Sequence, residues 1–180
     1  MNKCKLLAGL VVSSTFAATA AGAADFLQFQ GAIGADPVGG ITAGAPVANM
    51  VRGVSPGGRP WILRSFAANI AADGRIHAKG RGLLLGGSDN IGFRGGVTQV
   101  AVSLSCQTAA ATTGVPATFA FFNSPAVDLD LAGNFEVKGS LTPVPTNPCT
   151  LPVLLIRNAP AGVLGAWFAA GIAGSEQDDD

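Results

Sequence analysis

The chain is 180 residues long and formally neutral, with eleven basic and eleven acidic side chains; 48% of its residues are hydrophobic and only 12% charged. This balance argues against a nucleic-acid backbone as the partner, because that role needs clustered Lys and Arg. The apolar content argues against disorder despite 25 Gly and 11 Pro. A single His and the absence of Tyr leave few groups for acid–base catalysis or for metal and cofactor binding, and none of either is expected.

The first element expected is a secretory signal peptide over residues 1–24. Lys3 and Lys5 form a positive start, residues 6–20 are uncharged and apolar, and Ala21-Gly22-Ala23 supplies the small residues of a cleavage site. The apolar stretch is short for a membrane span, so cleavage after Ala23 or Ala24 is expected, with no transmembrane segment in the mature chain. That places the protein outside the cytoplasm, secreted or periplasmic. Cys4 leaves with the leader. The remaining chain has nine basic and eleven acidic side chains, and four of the acidic ones are Glu176, Asp178, Asp179 and Asp180. Residues 175–180 therefore read as a solvated acidic tail, and residues 25–174 as a single domain.

Within that domain, short alternating runs are broken by Gly, Pro, Asn and Asp, which is the pattern of strands and turns. Strands are expected over 26–33, 47–54, 97–106, 118–122, 153–157 and 166–173. The uniformly apolar 153–156 reads as a central strand covered on both faces. Two hairpins stand out. One turns at Asp73-Gly74, between arms 61–70 and 75–85; its return arm puts Arg75, His77, Lys79 and Arg81 on one face, toward solvent or a partner. The other turns at Ala132-Gly133-Asn134, with Val127, Leu129 and Leu131 inward on one arm and Phe135 and Val137 inward on the other. Loops are expected over 34–46, 54–60, 86–96, 109–116 and 142–148. No run sustains helical periodicity, and a single helical turn within 162–166 is the most that is expected. The sum is an all-β domain, an antiparallel β-sandwich of jelly-roll or immunoglobulin-like type with about eight to ten strands. Cys106 and Cys149, the two cysteines left in an oxidising compartment, are expected to form one disulfide.

Candidate chemistry is sparse. His77 would have to serve any Ser–His–Asp triad, and an exposed place beside Arg75 and Lys79 fits it better. Asp128-x-Asp130 with Gly133-Asn134 opens like a calcium loop but has Ala132 at the fifth position and Gly139 at the twelfth. Asp128, Asp130 and Glu136 form the alternative site, as carboxylates of a hydrolase acting on glycans or esters. Trp61 and Trp167 suit core packing better than sugar stacking. The leading expectation is a non-catalytic exported protein that binds or assembles with envelope or surface components.

Three segments also carry a resemblance. Pro56-Gly57-Gly58-Arg59-Pro60-Trp61-Ile62 leads to Asp73-Gly74-Arg75-Ile76. Val102-Ser103-Leu104-Ser105-Cys106 is followed by Pro148-Cys149. Gly165-Ala166-Trp167-Phe168-Ala169 closes the domain. In this order, over about residues 51–170, they resemble a group of small exported bacterial proteins with no assigned activity. The resemblance implies a secreted single domain with one disulfide and supplies no catalytic residue.

Overall fold

The computed structural model describes residues 25–174; the expected leader and acidic tail lie outside them. The strands are β1 (Asp25–Gly34), β2 (Val38–Thr42), β3 (Ala45–Ala48), β4 (Trp61–Ile62), β5 (Ser65–Ala71), β6 (Arg75–Arg81), β7 (Leu84–Leu85), β8 (Gln99–Ala109), β9 (Thr118–Asn123), β10 (Val127–Asp128), β11 (Phe135–Ser140), β12 (Val153–Asn158) and β13 (Trp167–Ala173). A 3-10 turn at Pro160–Gly162 is the helical element among the described residues, and no helix there is long and apolar enough to cross a membrane.

Nine strands form one antiparallel sheet in the order β10-β8-β12-β13-β1-β5-β6-β11, with β9 also paired to β8. The sheet curls until its ends meet. Asn123 at the end of β9 and Thr142 just past β11 exchange backbone hydrogen bonds of 3.0 and 2.9 Å. One hydrophobic cluster fills the curl, including Phe29, Phe66, Ile70, Leu104, Val137 and Ile156. The all-β antiparallel architecture expected from the sequence is thus present, with its facing layers joined as a continuous curled sheet. Central β12 is apolar because it lies between β8 and β13; Leu154, Leu155 and Ile156 are fully buried. Cys106 of β8 and Cys149 are joined by the expected disulfide, with Cα atoms 5.2 Å apart.

The Asp73-Gly74 hairpin forms as expected, with Ile70 opposite Ile76 and Ala68 opposite Ala78. Residues alternate strictly between exposed and buried along β6, so one face of the strand feeds the core and the other carries its charge. The first arm is shorter than expected. It breaks after Ile62, and β4 pairs instead with β7 in a separate two-stranded sheet.

The hairpin expected around Ala132-Gly133-Asn134 is corrected by the structure. Its turn exists: Gly133 donates to the Asp130 carbonyl at 3.0 Å and Asp130 to that of Asn134 at 3.1 Å, with Gly133 at φ +75°. Its arms, however, separate. β10 pairs with β8 and β11 with β6, so the turn bridges the two ends of the sheet. The reason is local. Both oxygens of Asp130 are occupied by Asn134, which ends the extended run, and Gly133 packs against Leu83, where a Cβ would lie 2.5 Å from the Leu83 oxygen. Leu129 is buried as expected, but Leu131 points outward at 80% exposure. The expected loop at 34–46 is also revised, because β2 and β3 form a hairpin within and just beyond it.

Candidate functional site

The outward face of β6 carries a row of charged side chains. Arg75, His77, Lys79 and Arg81 project from alternate positions, and β11 sets Lys138 opposite His77 and Glu136 opposite Lys79. Ile76 and Ala78 hold the strand from the other side. Gly80 is inward too, and it makes room for Phe135, whose ring occupies the space a Cβ would need. The backbone beneath the charges is therefore fixed by the core.

Two acidic groups on this face are already engaged. Glu136 Oε1 lies 2.8 Å from His77 Nε2 and 3.0 Å from Lys138 Nζ. These hydrogen bonds, that from His77 first, hold the Glu136 carboxyl down to about 2. At the turn into β6, Asp73 takes the Arg75 amide at 3.1 Å and its guanidinium at 2.8 Å. Those two bonds hold its pKa below the ordinary carboxylate value, the amide foremost. Lys79 and Arg81 have no side-chain hydrogen bond or ion pair among the described residues.

The carboxylates singled out by sequence are only partly gathered. Asp128, on β10, and Glu136, on β11, line one open depression of about 380 Å³, together with Lys79, Arg81 and Asn134. Asp128 receives a hydrogen bond from Gln99 at 3.3 Å. Asp130 serves the turn instead: it accepts the Asn134 amide at 2.7 Å and side-chain nitrogen at 3.0 Å, and the amide bond is the main cause of its lowered pKa.

A two-carboxylate hydrolase needs one carboxyl kept protonated as the general acid. Glu136 is held the opposite way, as a carboxylate. What the depression offers is two unengaged cations against two carboxylates on an open wall, an arrangement suited to holding a charged or polyhydroxylated ligand. Among the described residues no three His, Cys, Asp or Glu side chains converge as a metal-binding group.

Sequence reading found the row on β6 from its parity. It missed that Lys79 and Arg81 would share a wall with Asp128, since that depends on the closure of the sheet. Trp61 and Trp167 are both buried; Trp61 stacks on Phe168 with ring centres 4.1 Å apart. Comparison with protein-family models, curated proteins and solved structures finds no match to this chain, so its role must be argued from this geometry.

Proposed function

We propose that the protein is an exported, non-catalytic binding domain whose β6–β11 face holds an acidic polymer of a cell envelope or surface. The observation carrying this reading is the row Arg75, His77, Lys79 and Arg81 beside Lys138, fixed on a rigid strand pair with Glu136 and Asp73 tied up within the face. An acidic polysaccharide meets such a row with several weak ion pairs at once, each screened by salt. Export is supported by the leader-like residues 1–24 and by the Cys106–Cys149 disulfide, a bond characteristic of oxidising compartments.

The test is retention of the intact protein on immobilised polygalacturonate compared with neutral dextran. Retention on the acidic matrix, released by salt and abolished in Lys79→Glu/Arg81→Glu, is expected. Equal retention of the variant, or none by the parent, would overturn the reading. Fractionation of the producing cell checks the location.

One observation favours a second reading, a hydrolase of glycans or esters: Asp128 and Glu136 share a depression. Turnover on a glycan and ester panel that disappears in Asp128→Asn and Glu136→Gln would favour it. Turnover unchanged by both substitutions would remove these carboxylates from consideration.

A further inference from the structure

A second surface, built by other elements, has a different chemistry. Arg59 and Arg94 border a groove of about 670 Å³ whose walls include Phe93 and Leu131. It runs into a neighbouring depression of about 420 Å³ that shares Arg59 and reaches the stacked Trp61 and Phe168. Neither depression has a carboxylate in its lining. Phe93 is 66% exposed, and Leu131 is turned out by the Asp130–Asn134 turn. Large apolar side chains held in water beside two cations gain nothing from the chain itself.

The Arg94 guanidinium is also incompletely satisfied. One terminal nitrogen donates to the Val97 carbonyl, but Nε is buried and has no partner among the described residues. A buried unpaired donor on a charged group is costly until an acceptor, from water or from a ligand, completes it. Asp130 feels the Arg94 charge, yet both its oxygens already accept hydrogen bonds from Asn134. Arg59 is exposed and makes no side-chain hydrogen bond or ion pair among the described residues.

We propose that this groove binds an anionic amphiphile, with its carboxylate or phosphate between Arg59 and Arg94 and its aliphatic chain over Phe93 and Leu131 toward Trp61. Guanidinium groups match both anions. The apolar walls select against small inorganic anions, and the arginines against neutral chains. The groove shares no lining residue with the depression on the β6–β11 face.

The experiment is titration of the intact protein with monomeric decanoate and dodecanoate, followed by calorimetry, and with 11-bromoundecanoate, followed by tryptophan quenching. Decanol serves as the neutral control, and vesicles of phosphatidylglycerol or phosphatidylcholine as the membrane arm. Saturable carboxylate binding is expected, about tenfold tighter for dodecanoate than for decanoate where both added methylenes are buried. It should weaken about tenfold in Arg59→Gln or Arg94→Gln and several-fold in Leu131→Ser, whose side chain lies outside the core. Lys79→Glu/Arg81→Glu should leave it unchanged, which separates this site from the proposed polymer face. Retention by phosphatidylglycerol vesicles alone, lost in the arginine variants, would support the site and identify the source as a lipid headgroup. Equal binding of decanol and decanoate, indifference to Arg59→Gln and Arg94→Gln, or no response in either arm would overturn the proposal.

Discussion

Glu136 reaches diagonally across the β6–β11 pair to His77, with Oε1 2.8 Å from Nε2, although its directly opposed neighbour is Lys79. The contact, with that from Lys138, favours the charged form of Glu136. Glu136 titrates at about 2 rather than at its ordinary 4.5. Because the folded value lies below the unfolded one, the contribution to stability is complete above about pH 4.5 and is lost as pH falls toward about 2. The group is exposed, so the effect is modest and screened by salt. Carboxyl NMR should find Glu136 still ionised at pH 3 and return it toward 4.5 in His77→Ala. An ordinary value in the parent would show that the bond does not persist in solution.

The disulfide closes a loop with a sequence separation of 43 residues, between the buried Cys106 and Cys149. On the chain-entropy account this is worth about 4 kcal/mol. Cys106→Ser/Cys149→Ser should lower the urea midpoint accordingly, and protein unfolded without reductant should expose no thiol from this pair. Two titratable thiols there would contradict the bond.

These two cysteines were legible because elimination left one pair. The Asp73-Gly74 hairpin was legible because the turn and both flanking alternations are local. The β10 and β11 pairings were not. The Asp130–Asn134 turn is equally local, but whether its arms pair is decided by β8 and β6, which compete for them through contacts far away in sequence. β2 was missed, and β3 was expected over 47–54 but lies at Ala45–Ala48, for a different reason. Every residue of both strands is exposed, so no buried face leaves an alternation to read, and the tip places an alanine, Ala43, at positive φ before Gly44, where a turn favours Asn, Asp or Gly. Arg59 and Arg94 lie in Gly-rich loops, and only the folded chain places them on one groove.

Gly80 and Phe135 should behave as one unit beneath the charged face. A Cβ at Gly80 collides with the Phe135 ring, so Gly80→Ala is expected to destabilise by about 2 kcal/mol through overpacking. Phe135→Leu alone should cost about 1–2 kcal/mol through lost packing. In the double variant the smaller side chain frees the space, and the total should fall below the sum by at least about 0.5 kcal/mol. Denaturant titration of the four proteins measures the cycle. Strict additivity would mean that the backbone, not the ring, absorbs the added methyl.

The β2–β3 hairpin should be the least protected strand pair of the described domain. An isolated two-stranded hairpin is marginal in water, and this one contributes no buried residue to the core. Its foot is tied to the body where the Trp167 indole N–H donates to the Asn49 carbonyl at 3.1 Å. Hydrogen exchange should therefore be fastest at the β2–β3 ladder and slowest in β8 and β12, whose residues are largely buried. Trp167→Phe keeps most of the ring packing but removes the donor, at a cost of about 1 kcal/mol. It should speed exchange in β2 and β3 further while leaving the protection pattern within β12 intact. If exchange accelerated in β12 and not in the hairpin, the indole would be serving the core of the sheet rather than tethering the arm.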